Sequence, residues 1–579
     1  MANALRLLVA FEGGGAKGIA HVGALKALEE ALASAEPGSR VVGVAGTSAG
    51  AIVAALAAAG FRADDLIDPV RRTTCLGSTR PGAALAGRLF GRAGWRAISA
   101  FRRTVDGLGA WLSWHRRPVV LALLGLVALS VVAAFGLPVA LLAYLVASLA
   151  GLALLLWAGR RLLGGLASLD TFRDGLGTLL AEKVGPADGV VRFRDFGDAT
   201  GRPTLKIVAT DISTRQRHVF SPETTPAAVV ADAVAASACL PLVFAPRTVS
   251  GDAAGCLYVD GGFVSNLPVW LFDVERTLDP DAITIAVGIE DKAAGEPPPT
   301  RYTWLPSLAR TAIFGRNFLN TRGVGRLRPV VLPAPIGVLD FDVDEDRTFD
   351  LVQIGAETAR VRIRTDLFDI PRIYRQACEA VRTLFLGILD ELPPALMAPV
   401  AGPRHVRVAV ALPEQTVHAT GIDGEPRYLR LQHSAGYDGF ADDGLTLPIE
   451  GSIMGAVWGS RTGASQLMLT KVRRNGAVHD VVSRKYSLPG PQNRARRSLV
   501  WRDLAWVLAV PMSYDENGTV KNLVISIDGN DVVMVAGAGG PETPTEDPLE
   551  IDPGLESIMT GLAAETRAIF HRALRELER

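Results

Sequence analysis

The chain has 579 residues, enough for roughly two to four domains with sizeable cores. Lysine plus arginine equals aspartate plus glutamate at 60 each, so no global charge argues for a nucleic-acid partner. Four cysteines (Cys75, Cys239, Cys256, Cys378) show no metal spacing and are too few for a disulfide scaffold, which suits a reducing compartment.

Leu5 to Phe11 reads as a buried strand that begins almost at the N-terminus, so no signal peptide is expected. It runs into Glu12-Gly13-Gly14-Gly15-Ala16-Lys17-Gly18 and then a helix, Ile19 to Leu32. Consecutive glycines before a helix leave backbone N–H groups free to converge on an anion, as an oxyanion hole requires. Gly13, Gly15 and Gly18 also fit a dinucleotide fingerprint. That reading needs an acid closing the next strand, and Val41 to Ala45 closes on Gly46 instead. Lys17 is not placed as in a Walker A loop, so the oxyanion reading survives.

Gly46-Thr47-Ser48-Ala49-Gly50 follows that second strand and opens an alanine-rich helix, Ala51 to Ala59. Gly-x-Ser-x-Gly between strand and helix lifts a serine hydroxyl onto a sharp turn, and Gly46 and Gly50 allow close approach. Glycine–serine turns are common, so by itself the motif fits a nucleophile and an inert turn equally. From Arg71 to Arg117 there are ten arginines, no lysine and one acid, Asp106, interleaved with Phe90, Trp95, Phe101, Trp111 and Trp114. Such a segment suits an anionic membrane surface as well as a solvated face. Pro118 to Gly159 is 42 residues without a charge, broken at Phe135-Gly136-Leu137-Pro138. Its length and breaker predict a transmembrane hairpin over 117–160, with a re-entrant hairpin as its rival. Arg116-Arg117 and Arg160-Arg161 would keep both ends, and the active site, on the cytoplasmic side.

The soluble pattern resumes at Leu169, with strands at Leu205 to Ala209 and Ile283 to Val287 and a small-residue helix at Ala227 to Ala238. Between them, Leu257-Tyr258-Val259 delivers Asp260 into the turn Gly261-Gly262. A Ser-His-Asp triad on this elbow would need a later histidine, and none occurs between Gly261 and Arg404. A Ser48–Asp260 dyad is the better expectation. No cofactor and no metal are expected, because no histidine–carboxylate cluster has ligand spacing.

With these residues in order the chain resembles the patatin-like phospholipases over roughly residues 5–390. The matching parts are Gly13-Gly14-Gly15-Ala16-Lys17-Gly18, Gly46-Thr47-Ser48-Ala49-Gly50 and Asp260-Gly261-Gly262, with Ala209-Thr210-Asp211 and Ala236-Ser237-Ala238 in support. Where the family often has aspartate before the loop and arginine within it, this chain has Glu12 and Lys17, which keep the charge. The resemblance implies Ser48 as nucleophile, Asp260 as base, an oxyanion hole at Gly13, Gly14, Gly15 and Gly18, and motif support from Lys17, Gly46, Gly50, Gly261 and Gly262.

A linker from Pro393 to Pro403 follows a helix, Tyr374 to Leu392. Residues 404–540 are richer in strands and turns, and their order resembles a GAF-type sensory domain in texture, without a catalytic signature. Gly540 to Asp552 is a linker, and Leu555 to Leu577 an amphipathic helix suited to a partner. The expected fold class is therefore α/β: a patatin-like doubly wound hydrolase sheet interrupted by a transmembrane helical hairpin, plus a C-terminal α/β GAF-like domain. The expected domains are 5–116, hairpin 117–160, 161–395, GAF-like 404–540 and a helix in 551–579. The expected function is a membrane-bound serine lipid acyl hydrolase acting on phospholipid or lysophospholipid. An anionic membrane surface, and a homodimer through the C-terminal region, are the partners this allows. The alternative is a regulatory membrane protein on a vestigial hydrolase fold.

Overall fold

The computed structural model describes residues 4–75, 82–103, 146, 148–153, 159, 164–252, 256–279, 281–290, 326–399, 402–414, 426–458, 463–474, 476–480, 499–516, 519–535 and 551–575. They form two compact units, divided between Ile363 and Arg364.

The first unit is built on a seven-stranded sheet. Strand β1 (Arg6–Phe11) lies between β2 (Arg40–Thr47) and β6 (Ile283–Ile289), parallel to both, with Val9 opposite Val44 and Ile285. Beyond β2 lies parallel β3 (Thr204–Asp211), and antiparallel β4 (Gln216–Phe220) closes that edge. Two-residue β5 (Tyr258–Val259) also pairs with β3, and β7 (Leu327–Leu332) lies outside β6. Continuous apolar runs rather than alternation mark strands covered on both faces. Leu7, Leu8 and Val9 are accordingly no more than 1% exposed, each burial contributing about 1.5–3 kcal/mol.

Helices cover the sheet through small residues. Helix α1 (Ala20–Ala33) crosses α5 (Glu345–Arg364) at two glycines, since a Cβ on Gly23 would stand 2.2 Å from Val352 O. Helix α2 (Ala49–Ala59) buries nearly every alanine, and Gly60, at φ +96°, ends it in the left-handed region. Helices α3 (Asp170–Val184) and α4 (Val230–Ser237) add to the helical cover, so this unit is α/β.

Among the described residues no helix is long and apolar enough to cross a membrane, which overturns the transmembrane hairpin and the multi-pass, cytoplasm-facing topology built on it. Most of 117–160 lies outside the described residues. The piece described as an unbroken helix, 148–153, spans about 9 Å, far short of the ~30 Å of a hydrocarbon core. The helices that reach such a length, α5, α6 (Ile370–Glu391) and α8 (Pro553–Leu574), carry charges along their length.

The second unit centres on a six-stranded antiparallel sheet of order β11–β10–β9–β16–β15–β12. These strands are β9 (Val406–Pro413), β10 (Tyr428–Ala435), β11 (Thr446–Pro448), β12 (Gln466–Leu469), β15 (Trp506–Glu516) and β16 (Thr519–Gly529). A smaller sheet joins β8 (Met397–Pro399), β17 (Asp531–Met534), β13 (Lys471–Arg474) and β14 (Ala477–Asp480). Alternation along the strands makes two cores. Val406, Val408, Val410, Trp506, Leu508, Ile525 and Ile527 face α6 and α8, while Ala409, Ala411, Val507, Ala509 and Val524 face short helix α7 (Ile453–Trp458). Helix α6 and β8, expected as the close of the hydrolase region and its linker, thus lie in this unit. Helix α8, expected as a partner helix, buries Leu555, Met559, Leu562, Phe570 and Leu574 in the same core.

Candidate active site

Ser48 joins β2 to α2, at the carboxyl end of the parallel strands where open α/β sheets place their sites. Its backbone holds φ +52°, a conformation costing a non-glycine residue about 1–3 kcal/mol. The turn is sustained from both sides. A Cβ on Gly46 would lie 2.3 Å from Gly50 O, and one on Gly50 would lie 2.3 Å from Phe11 O, so only glycine fits either position. Ser237 fixes the strained residue. Its hydroxyl donates to Val208 O (2.6 Å) and accepts from Ser48 N (2.9 Å).

Asp260 leaves β5 and meets this elbow across 212 residues of sequence. Ser48 Oγ donates to Asp260 Oδ2 at 2.7 Å, while Gly262 N donates to Asp260 Oδ1 at 2.7 Å. Asp260 N donates to Cys239 O, and Thr210 Oγ1 donates to Asp260 O, so backbone and side chain are both held. A Cβ on Gly261 would stand 2.2 Å from Val208 O, so the Asp-Gly-Gly turn packs directly on β3. Burial pushes the Asp260 carboxyl up to about 6, with the Gly262 and Ser48 hydrogen bonds pulling the other way. A base near neutrality is the result.

Two consequences of opposite sign follow from that carboxyl. Hydrolysis that uses Asp260 as base falls as pH drops below about 6. The folded-state value lies above the ordinary ~3.9, so the stability linked to this proton is full below about pH 4 and is lost as pH rises through about 6. Between those limits activity rises while stability declines. A kcat/KM profile, with melting curves of wild type and Asp260→Asn over the same range, measures both.

The glycine loop lies beside the serine, since a Cβ on Gly13 would be 3.1 Å from Ser48 Cβ. Gly13 N donates to Asn266 O (3.0 Å), so the expected Gly13 donor is already engaged. The N–H groups of Gly14 and Gly15 donate to no described acceptor. Gly15 takes φ +56°, and Ala16 N anchors the far side of the loop on Val338 O. Gly18 serves packing, because a Cβ there would lie 2.6 Å from Ala49 Cβ. Lys17 turns away to donate its Nζ to Glu290 O (3.1 Å).

Among the described residues no histidine hydrogen-bonds the Ser48 or Asp260 side chain. Buried His21 is held neutral, its pKa pulled down to about 4 by burial, and its Nε2 contacts Glu12 O at 2.8 Å. Cys239 is no rival nucleophile, because burial and the Asp260 charge push its thiol up to about 12. Among the described residues no three His, Cys, Asp or Glu side chains gather as a metal site would require.

Residues 9–273, which hold the glycine loop, Ser48 and Asp260, match the patatin-like phospholipase family. This part of the chain is a patatin-like phospholipase domain. The protein is accordingly a lipid hydrolase, and the patatin-like α/β fold is that of its first unit. Among curated proteins, the uncharacterized protein YqhO of Bacillus subtilis (strain 168) is 28% identical over 285 residues, covering 48% of this chain and 70% of its own. Among solved structures, VipD from Legionella pneumophila aligns at 14% identity and TM-score 0.27, over 67% of this chain and 77% of VipD. The type III effector protein ExoU aligns at 17% identity and TM-score 0.26, over 67% and 60%. The GAF-B domain of DevS from Mycobacterium smegmatis aligns at 12% identity and TM-score 0.17, over 36% and 96%. Superpositions this loose do not by themselves establish a shared fold.

Two polar residues of the patatin-like site carry roles that motif reading missed. Ser237 was visible only as part of Ala-Ser-Ala, and nothing local marks it as the partner of Ser48 N. Asn266 lies six residues beyond Asp260 in the run Ser265-Asn266-Leu267-Pro268, and nothing in that run marks it as a partner of the glycine loop.

Proposed function

We propose that the protein hydrolyses acyl esters of phospholipid or lysophospholipid with a Ser48–Asp260 dyad, working at an anionic lipid surface. The observation that carries the reading is the 2.7 Å bond from Ser48 Oγ to Asp260 Oδ2, beside two backbone N–H groups that donate to no described acceptor. Asp260 takes the hydroxyl proton as Ser48 Oγ attacks the ester carbonyl. The carbonyl oxygen becomes an oxyanion, held by Gly14 and Gly15 N–H and favoured by the N-terminus of α2. The intermediate collapses to a Ser48 ester, and the proton on Asp260 passes to the departing alkoxide. Water then attacks this ester while giving a proton to Asp260, which returns it to Ser48 as the fatty acid leaves. The Ser48–Asp260 bond and the two N–H groups that donate to no described acceptor weigh against the vestigial alternative.

The surface element of the proposal rests on residues 92–103. That helix buries Trp95 and Ile98 with Phe90 and Phe244, while Arg92, Arg96 and Arg103 lie exposed on its other side. Arg102 is different, since it pairs with Asp340 and Asp342. Three exposed guanidiniums beside a lipid hydrolase fit anionic headgroups, at about 1 kcal/mol each near the surface. Fatty-acid release from vesicles with and without an anionic phospholipid tests this. Wild type is expected to work faster on anionic vesicles at low salt, and Arg92→Gln/Arg96→Gln/Arg103→Gln to lose that preference while keeping its rate on neutral micelles. Equal rates of wild type on both vesicle types would overturn the surface element.

A further inference from the structure

We propose that Asn266 is a positioning residue, anchored on Glu12, that holds the oxyanion donors in register with Ser48; the proposal rests on the dyad reading above. Both side chains are buried, at 1% and 2% exposure. Asn266 Nδ2 donates to Glu12 Oε1 (2.8 Å) and to Gly13 O (3.2 Å), and Asn266 O accepts from Gly13 N (3.0 Å). One residue thus holds both polar groups of Gly13. Its Oδ1 stands 2.4 Å from where a Gly13 Cβ would be, so the contact requires glycine. Glu12 is itself tied down. Its Oε2 accepts from Ile289 N (2.7 Å) at the end of β6, and its carbonyl meets His21 of α1.

The need for such a clamp follows from the loop. Gly13, Gly14 and Gly15 have no side chains to pack, and glycine has the most backbone freedom to lose. An oxyanion hole works only when its donors are fixed before charge develops. Val338 O fixes the downstream side through Ala16 N, and Asn266 is the corresponding restraint upstream. Asn266 also shares a segment with Asp260, and Thr47 Oγ1 donates to Ser265 O (2.8 Å). Nucleophile, base and donors are therefore held in one frame.

The test uses purified full-length protein and a soluble phospholipid. Asn266→Ala and Asn266→Asp are each expected to lower kcat about 100-fold, with KM within about twofold and the acid limb still near pH 6. Glu12→Gln keeps Asn266 but turns an amide donor against either Asn266 Nδ2 or Ile289 N, and is expected to lower kcat about tenfold with KM within about twofold. A role in stability alone would shift melting temperature without separating kcat from KM. If Ser48→Ala is inactive while folded Asn266→Ala keeps wild-type kcat, the positioning role is overturned and the dyad stands. If Ser48→Ala keeps its activity, both fall. Should Asn266→Ala fail to fold, Glu12→Gln decides, and wild-type kcat in that variant overturns the proposal.

Discussion

Ser48→Ala is expected to lower kcat for ester hydrolysis by on the order of 10⁴-fold or more, and Asp260→Asn to do nearly as much. A 2.7 Å bond joins the two side chains, and in the proposed mechanism each is of little use without the other. The double variant is therefore expected to be little worse than either single, whereas independent contributions would multiply. Residual activity would come from Gly14 and Gly15 and from substrate binding, which neither substitution touches. Both variants are expected to fold. Alanine loses only the hydroxyl at an elbow that Gly46 and Gly50 already permit, and asparagine relieves a carboxyl whose pKa shows that burial disfavours its charge. Steady-state kinetics on variants with near-wild-type melting curves check this, and multiplicative losses would show that the residues do not act together.

In the second unit the largest expected effect is at Arg407. This side chain is fully buried, donates to Asp528 (Nε, 2.7 Å) and Asp442 (Nη1, 2.7 Å), and has its guanidinium 4.2–4.7 Å from the rings of Tyr437, Phe440 and Trp501. Asp442 and Asp528 are themselves 0% exposed. Arg407→Ala leaves two buried carboxylates without their cation and three rings around a void, a loss of about 3–5 kcal/mol. Thermal unfolding of the full chain, followed by calorimetry, is expected to show that unit melting well below wild type. A change under about 1 kcal/mol would mean the cluster is far less strained by charge burial than its geometry requires.

The first sheet was legible because its strands are buried on both faces, so Leu7 to Phe11 and Val41 to Ala45 appear as unbroken apolar runs. The elbow was legible because close backbone approach leaves only glycine at positions 46 and 50. What the motifs could not carry is contact across long separations. The Glu12–Asn266 bond spans 254 residues, and the bond from Gly13 N to Asn266 O, which engages the Gly13 N–H, spans 253. Helix α6 was recognisable as amphipathic, but a helix pattern does not say which sheet it covers. Tyr374, Val381, Phe385 and Leu389 lie with Val406 and Trp506, which assigns it to the second unit. The hairpin expectation rests on the length of an uncharged apolar run and the breaker at Phe135-Gly136-Leu137-Pro138. Apolar composition sets the cost of exposing a segment to water, whereas crossing a bilayer also needs about 20 continuous helical residues, and no described helix meets both conditions.

The most direct test of the dyad is the covalent state of Ser48. Wild-type protein is treated with a fluorophosphonate, digested and mapped by mass spectrometry. The expected adduct is on the Ser48 peptide, formed in stoichiometric amount, slowed below about pH 6 in parallel with hydrolysis and absent from Ser48→Ala. Lipid hydrolysis by a protein that carries its adduct on another serine, or that stays fully active while unlabelled at Ser48, would contradict the account.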